Sequence, residues 1–535
     1  MSETAQATRF GAREWAIARP WLAARSFPLG VSAITTAAAA FLFHQLLAWP
    51  PHEDEALPLF VGRHPLDEMF QVVLEERGGA PLHFLLAWTV AHLELGLGGL
   101  RAVSAFFAVA SLPVVALLLA RLGGRVAALA GTLLLATSWT FLFHGVYGRM
   151  YSLFLCMAAL SYLALLSAVD RGGRRAWAFW ALAILATVAT HPYGALVLAS
   201  QGAFVVIARR ERLREALWAF AAVAVLGIPF WLTDLVLAGR FDAGVAAGSR
   251  LDVIEYVWQA AGDFSAGFPV LPAVLVAVAA GLAVLPRETR ILTACAALVP
   301  LAALVLARSS GSPETRHLVF LLPFVALAAG TGIARLGRVW GTPALAALVV
   351  AQVAWTWDRT PELFEWEPDV RREARADAAA YLAATSGPDD VLLGYDPLYL
   401  QAWELNPDVP FVVLPRADAD LALHNLLSLG RPLGHGVWVL DASKTTNIER
   451  SLQIPRVSPR PAAAFEVRDF GPFLVIRTRE PVLTPKRYLE RAGEAMLVGK
   501  RLYLGDADIN LPTIERAARA LRGYGASRSL STSSR

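Results

Sequence analysis

The stretch RLGGRVAALAGTLLLATSWTFLFHGVYGRMYSLFL, residues 121–155, decides the fold class. It opens with a basic loop, continues as an apolar run and reaches Arg149 just before a second apolar run begins. An apolar helix of about 20 residues is long enough to cross a hydrocarbon core of about 30 Å. The stretch therefore predicts two membrane-spanning helices joined by a loop that contains Arg149.

The rest of the chain shares this character. Of its 535 residues, 56% are hydrophobic and 17% are charged, and the mean hydropathy is +0.48. Soluble domains are about one quarter charged, and a large soluble helical core would need charged helix faces that these apolar runs do not have. The net charge of +4 is too small to imply a nucleic-acid partner. We predict a polytopic α-helical membrane protein.

Eleven apolar runs are candidate membrane spans. A further segment, 81–98, is apolar but short, and it contains His83, His92 and Glu94. The eleven runs cover residues 28–49, 100–121, 125–145, 151–169, 175–191, 194–209, 215–237, 270–286, 290–307, 316–334 and 341–357.

Loop charges decide whether 81–98 crosses the membrane. If it does not cross, the basic loops between alternate spans all share the side of the basic N-terminus, which the positive-inside rule assigns to the cytoplasm. If it crosses, every one of these loops faces outward. We therefore interpret 81–98 as an interfacial amphipathic helix. The sequence then predicts eleven crossings of a bacterial plasma membrane, with residues 1–27 in the cytoplasm.

Residues 28–357 form the predicted transmembrane domain, and a second domain follows it. Short β-rich segments bounded by Gly, Pro and Asp, such as GVWVLDAS and FEVRDFGPFLVIRT, predict a soluble α/β domain over 358–490. An odd number of crossings places this domain outside the cytoplasm. Residues 491–535 are polar and are predicted to form a disordered tail.

An acidic cluster, HEDE, follows the first span on the predicted outer side. Asp54 or Glu55 could act as a general base on an acceptor hydroxyl, because burial and a neighbouring acid raise the pKa of a carboxyl group. The alternative is an ordinary solvated acidic loop.

Outer-side arginines are the minority under the positive-inside rule, so Arg149 and Arg316 require an explanation. We interpret them as ligands of an anion, with Arg101 as a similar candidate, because the guanidinium fork matches phosphate oxygens. The alternatives are a side chain that extends to the interface and an ion pair with Glu314. His191, at the end of a span in THPYG, is either a substrate or metal ligand or a satisfied helix end.

The sequence defines no cofactor with certainty. Its scattered histidines lack the spacing of zinc ligands, and a divalent metal is left open. Tryptophans near span ends, including Trp139 and Trp355, are interpreted as interfacial anchors.

Taken in order, the motifs resemble those of the membrane glycosyltransferases of the C superfamily, and more narrowly the protein O-mannosyltransferase and aminoarabinose-transferase-like branch. The resemblance covers about residues 28–340. It rests on the first span, the acids DE, then GAPLHFLLAW, LRAVSAFFAV, the opening stretch, THPYG and TRHLVFLLPF.

This resemblance implies the transfer of a hexose or pentose from a polyprenyl-phosphate donor to a lipid, glycan or protein acceptor on the outer face of the membrane. It makes Asp54 the catalytic base, with Glu55 beside it. It also makes Arg149 and Arg316 the ligands of the donor phosphate, and we add Arg101 to them as a third candidate. The residues assigned to substrate binding are His191, His83, Tyr151 and Tyr193.

The sequence also departs from the family pattern. The usual His-Pro-Pro-Leu-Tyr motif is replaced by the residues from Gly79 to His83, and a lysine found near it in some relatives is absent. Phosphate binding would therefore depend on the arginines.

A transporter or flippase of a lipid-linked substrate is the alternative function, and a non-catalytic scaffold or sensor is a third. Transporters have polar or broken spans in the middle of the bilayer. The runs here are apolar and mostly uninterrupted, with Pro113 and Pro300 as the main exceptions, so the sequence favours the transferase.

Overall fold

A computed structural model describes residues 26–74, 79–241, 250–307, 315–393, 396–408, 412–414, 426–427, 429–441 and 464–502. The chain divides into two compact units. The first comprises Met1–Leu47, Val73–Leu86 and Gly98–Phe364, and the second comprises Ala48–Val72, Ala87–Leu97 and Glu365–Arg535.

Seventeen described helices precede the C-terminal part of the chain. They are α1 (Ser26–His44), α2 (Glu53–Gly62), α3 (Leu66–Val72), α4 (Pro81–His92), α5 (Gly96–Gly123), α6 (Arg125–Ala136), α7 (Trp139–Val146), α8 (Tyr151–Arg171), α9 (Arg174–Thr190), α10 (Gly194–Ala208), α11 (Leu213–Leu226), α12 (Ile228–Phe241), α13 (Arg250–Phe264), α14 (Leu271–Val284), α15 (Arg287–Ala307), α16 (Leu322–Arg335) and α17 (Gly337–Arg359).

All eleven predicted spans are helical. Among the described residues, five helices are long and apolar enough to cross a membrane: α1, α5, α8, α17, and the helix that joins the 3₁₀ turn Thr315–Leu321 to α16. Two bent pairs, α6 with α7 and α11 with α12, raise the number to seven. The other four runs form α9, α10, α14 and α15. The chain is thus a polytopic helical membrane protein.

The predicted interfacial segment, 81–98, does not form one continuous helix. Its helix α4 has only 12 residues and would be about 18 Å long, shorter than a hydrocarbon core of about 30 Å. Together with α2 and α3, it gives the predicted first loop three short helices.

The structure corrects the expectation of where the spans are interrupted. Pro113 and Pro300 both lie inside continuous helices, α5 and α15. The bends, of 56° and 57°, occur instead between α6 and α7 and between α11 and α12. At the first bend the hydroxyl of Ser138 accepts a hydrogen bond from the backbone N–H of Phe141 at 3.3 Å, so a new helix begins there. At the second bend Pro229, which has no N–H, lies in the first turn of the new helix.

Helices α14 and α16 approach each other at glycines. A Cβ on Gly332 would lie 2.0 Å from the carbonyl oxygen of Ala277, and one on Gly281 would lie 1.9 Å from that of Ala328. Such backbone contact is typical of helix pairs inside membranes, where small residues allow close packing. A larger residue at either glycine would force the two helices apart.

The second unit contains the predicted α/β domain. The order of its five strands in the sheet is β2-β1-β3-β5-β4, in which β1 pairs in parallel with β2 and β3 and the other pairs are antiparallel. The elements are α18 (Asp369–Thr385), β1 (Val391–Leu393), α19 (Pro397–Leu405), β2 (Val412–Leu414), β3 (Gly436–Asp441), β4 (Phe465–Phe470), β5 (Phe473–Thr478) and α20 (Pro485–Leu502).

Two details of this unit follow from the sequence. The segment FEVRDFGPFLVIRT forms a hairpin whose turn needs Gly471, because its φ of +76° is one that other residues rarely adopt. Helix α20 continues to Leu502, well into the segment predicted to be a disordered tail. The rest of that tail and most of the predicted cytoplasmic N-terminus lie outside the described residues.

Candidate active site

A buried tyrosine on α8 is the centre of a cluster of basic and aromatic side chains in the first unit. The ring centroid of Tyr151 lies 4.8 Å from that of His144 and 5.9 Å from those of His191 and His317. The guanidinium carbon of Arg316 lies 5.2 Å from the same centroid, in cation–π geometry. We call these five residues the Tyr151 cluster.

Local structure explains how residues so distant in sequence meet. Helix α7 ends at a short turn that carries Arg149, and Tyr151 begins α8 directly after it. The Ser152 hydroxyl donates to the carbonyl of His144 across this turn at 2.7 Å, and the Ser104 hydroxyl donates to the carbonyl of Arg149 at 3.1 Å. The turn is therefore fixed to both α5 and α7.

Arg149 and Arg316 converge on this cluster. Both guanidinium groups lie close enough to His317 to act on it electrostatically. Arg149 also acts on His83, which is 3% exposed: burial, and then the charge of Arg149, lower the pKa of His83 to about 3. The structure thus brings together two of the predicted phosphate ligands and one of the predicted substrate ligands.

His191 and Tyr193 join the cluster from the turn between α9 and α10. The Nδ1 atom of His191 accepts a hydrogen bond from the backbone N–H of Tyr193 at 3.0 Å, so this histidine does satisfy a helix end. Its ring also lies 5.1 Å from that of His317. Burial, and then the neighbouring Tyr151, raise the pKa of Tyr193 to about 12, so its hydroxyl stays protonated at neutral pH.

Arg101 lies on α5, one turn before Ser104, and its side chain is buried. Its Nη1 donates to the carbonyl of Leu46 at 3.0 Å. The structure therefore connects Arg101 to the segment that follows α1. The pairing of Arg316 with Glu314, considered from the sequence, lies outside the described residues.

A cavity of about 380 Å³ adjoins Arg316 in the first unit. Its polar and aromatic lining includes Trp139, His144, Asp263, Arg316, Trp355 and Arg359. Asp263 forms an ion pair with Arg359 at 2.9 Å and accepts a hydrogen bond from the Thr315 hydroxyl at 2.5 Å. Burial raises the pKa of the Asp263 carboxyl, whereas Thr315 and Arg359 act in the opposite direction.

The sequence did not single out Asp263 or Arg359, although Arg359 is an ionisable group just beyond the last apolar run, which is a signal for function. Trp139 and Trp355, interpreted as interfacial anchors, line this cavity. The guanidinium carbon of Arg359 lies 4.0 Å from the ring centroid of Trp139. The indole N–H of Trp139 donates to the hydroxyl of Thr360 at 2.8 Å.

The two predicted catalytic acids belong to the second unit. Asp54 is half-buried in the first turn of α2, whereas Glu55 is fully buried. The Glu55 carboxylate accepts a hydrogen bond from the backbone N–H of His52 at 3.2 Å, and His52 Nδ1 accepts one from that of Asp54 at 3.1 Å. This reciprocal pair is a capping box. Glu55 therefore fixes the helix start that carries Asp54.

Helix α2 packs against α19 within this unit. The rings of Phe60 and Trp403 stack with their centroids 5.7 Å apart. Arg63 lies over the Trp403 ring at 4.4 Å and forms an ion pair with Glu404 at 3.7 Å. The α/β domain thus supports the helix on which Asp54 is located. Among the described residues of the whole chain, no three His, Cys, Asp or Glu side chains are grouped as metal ligands.

The chain shares its fold with solved structures of the kind that the ordered motifs predicted, the membrane glycosyltransferases of the C superfamily. In particular, the chain is similar to two crystal structures of ArnT from Cupriavidus metallidurans, each 15% identical and covering 84% of this chain and 97% of that one. The TM-score is 0.53 for the structure bound to undecaprenyl phosphate and 0.55 for the apo structure. No protein-family model and no curated protein sequence matches the chain.

Proposed function

We propose that this protein transfers a hexose or pentose from a polyprenyl-phosphate donor to a hydroxyl group of a lipid, glycan or protein acceptor on the outer face of the plasma membrane. The observation that carries the proposal is the convergence of Arg149 and Arg316 on the buried Tyr151 cluster. A similar fold has been solved in ArnT with undecaprenyl phosphate bound, which supports a lipid phosphate as the anion.

The arginines would hold the donor phosphate. A guanidinium group donates two parallel hydrogen bonds to phosphate oxygens, and these bonds are about twice as strong as neutral ones. As the sugar–oxygen bond breaks, negative charge grows on the phosphate, so Arg149 and Arg316 stabilise the transition state more than the bound donor. Arg101 remains a third candidate ligand. Its side chain also donates a hydrogen bond to the carbonyl of Leu46, in the segment that follows α1.

Asp54 would supply the general base. The acceptor oxygen attacks the anomeric carbon while its proton passes to the Asp54 carboxylate. The bond from that carbon to the phosphate oxygen breaks, and its electron pair leaves with the polyprenyl phosphate. A single displacement of this kind inverts the anomeric configuration. The capping box places Asp54 at a fixed helix start, and Glu55 would act by positioning it.

The two bent helix pairs favour a second candidate, a transporter or flippase of lipid-linked substrates, because broken spans are typical of transporters. The two functions differ in the fate of the sugar. A transferase separates the sugar from the polyprenyl phosphate, whereas a flippase moves the intact lipid across the bilayer.

The test uses the full-length protein in liposomes that contain undecaprenyl phosphate carrying a radiolabelled sugar, together with a membrane extract as acceptor source. Transferase activity moves the label from the donor to another product and leaves undecaprenyl phosphate behind. Flippase activity changes only the leaflet in which the intact donor is found. Loss of label transfer in Arg149→Ala and Arg316→Ala supports the proposed site, and label that stays on the donor in the wild type contradicts the transferase.

A further inference from the structure

The cavity beside Arg316 contains buried polar atoms that lack a partner. Within the described part of the chain, neither ring nitrogen of His144 has a hydrogen-bond partner, and the same is true of Nε1 of Trp355. His144 is only 2% exposed, and both side chains line the cavity. A buried donor or acceptor without a partner is destabilising, so such groups in native proteins need an explanation. A polar ligand in the cavity would supply the missing partners.

The size and lining of the cavity restrict this ligand. A volume of about 380 Å³ lies at the small end of the range for ligand pockets, roughly 300–1,000 Å³. Aromatic walls combined with a few hydrogen-bonding groups suit a polyhydroxylated ring, which has apolar faces and polar edges. Because Arg316 lines the same cavity, a phosphate held by this arginine would direct its sugar into it.

The charge balance restricts the ligand further. Asp263 is the sole acid among the described residues that line the cavity, and it is already paired with Arg359. With a phosphate on Arg316, the remaining charges therefore cancel. An ammonium group on the sugar would find no unpaired carboxylate among these lining residues, and burying a charge without a partner is strongly unfavourable.

We propose that the cavity between Arg316 and the Asp263–Arg359 pair is the subsite for the sugar of the donor, and that it selects an uncharged sugar. This inference rests on the proposed function. His144 and Trp355 hydrogen-bond the hydroxyl groups of the sugar, and Asp263 accepts from a further hydroxyl.

The test measures the affinity of the purified full-length protein in nanodiscs for undecaprenyl phosphate, alone and carrying glucose, mannose, galactose or 4-amino-4-deoxyarabinose. For at least one uncharged sugar, we expect the loaded lipid to bind roughly ten- to a hundredfold more tightly than the bare lipid, the range for hydrogen bonds to charged groups. The amino sugar should give no such gain. Asp263→Asn and Trp355→Phe should remove the gain and leave the affinity for bare undecaprenyl phosphate within about twofold of wild type.

Two comparisons keep a folding defect apart from a binding defect. Trp355→Phe removes an unsatisfied indole N–H, so its unfolding temperature should change little while its gain in affinity for the loaded lipid is lost. Asp170→Asn is the matched control, because Asp170 pairs with Arg121 and Arg209 away from the cavity; this variant should keep the gain.

The outcomes separate the two proposals. A gain that is unchanged in both cavity variants, or is largest for the amino sugar, overturns the sugar subsite. A wild type that binds bare and loaded lipid equally but transfers sugar also overturns it and leaves the transferase standing. A wild type that binds neither lipid and transfers no sugar overturns the proposed function itself.

Discussion

The two units bury charged groups in different ways. In the second unit two buried acids are paired with arginines: Glu367 forms ion pairs with Arg371 at 2.8 Å and with Arg375, and Asp390 pairs with Arg477 at 2.9 Å. In the first unit the Tyr151 cluster collects histidine and arginine side chains around aromatic rings. Compensated pairs are what a structural network needs, because an unpaired buried charge is strongly destabilising.

The basic side chains of the Tyr151 cluster influence one another's ionisation. Like charges that lie close together disfavour each other's charged forms, and burial adds to this effect. An anion bound among them would offset both. In the proposed function the donor phosphate is this anion, whereas the ion pairs of Glu367 and Asp390 maintain the fold of the second unit.

The largest effect is expected for Asp54→Asn. Asp54 is the proposed general base of the transfer reaction. Loss of a general base lowers turnover by about 10²–10⁴-fold, measured as sugar transfer from radiolabelled undecaprenyl-phosphate sugar. Glu53→Gln, in the same helix turn, is the control. Wild-type turnover in Asp54→Asn, with normal insertion in the membrane, would refute the assignment.

Glu367→Ala tests the structural role of the paired charges. Removing this carboxylate leaves Arg371 and Arg375 buried without it, which should destabilise the second unit by about 3–5 kcal/mol. Urea unfolding followed by fluorescence would measure the loss. Glu373→Ala, on an exposed position of the same helix, is the matched control. Equal free energies of unfolding for the two variants would contradict a structural role of the Glu367 ion pairs.

Arg316→Ala should weaken the binding of undecaprenyl phosphate by roughly 10- to 100-fold, because hydrogen bonds to a charged group contribute about 1.5–3 kcal/mol. Arg316→Lys keeps the positive charge but lacks the two parallel N–H donors of the guanidinium group, so it should weaken the binding of undecaprenyl phosphate less than Arg316→Ala does. Titration in nanodiscs measures both affinities, with the exposed Arg210→Ala as control. Unaltered binding in Arg316→Ala would mean that the basic cluster does not hold the phosphate.

The buried His83 should make the protein sensitive to acid. Its pKa is lowered to about 3 in the folded state, while the unfolded chain has about 6.5. Between these values only the unfolded chain binds the proton, so stability falls as the pH falls below about 6.5. From pH 8 to pH 5 the loss is about 2 kcal/mol. His83→Phe should flatten this dependence in thermal unfolding curves; an identical slope in both proteins would contradict the prediction.

The smallest effect is expected for substitutions of Glu55, which distinguish a helix-capping role from a part in the reaction. A capping box accepts Gln in place of Glu, so Glu55→Gln should keep both stability and turnover if the residue acts by capping. Glu55→Ala should lose about 1 kcal/mol of stability. Thermal unfolding and the transfer assay together measure the two properties. Abolished turnover in Glu55→Gln would instead restore Glu55 as a chemical participant.

Much of the fold could be predicted from the sequence, because each span is a local signal. A run of apolar residues long enough for the bilayer predicts a helix wherever it occurs, and all eleven runs are helical. The bends could not be predicted, since Pro113 remains within one helix while Ser138 starts another. Whether a break occurs depends on capping partners that no single run contains.

The candidate site was only partly visible in the sequence. Arg149 and Arg316 stood out because arginine is rare on the predicted outer side. Asp263 and Arg359 did not, because Asp263 lies between two apolar runs and Arg359 follows Asp358, and their ion pair joins residues nearly one hundred positions apart. His144 was one of several aromatic residues in α7, and its burial without a partner is evident only from the packing around it.

By itself, the sequence determined that the chain is a polytopic helical membrane protein with a C-terminal α/β domain, because hydropathy and strand alternation act over short distances along the chain. It also selected the basic residues, since charge is costly beside a bilayer and stands out in an apolar chain. Only the tertiary structure decided which of them meet around Tyr151, that Glu55 caps a helix and that a cavity opens beside Arg316. These features depend on contacts between helices that are distant in sequence, and no local pattern encodes them.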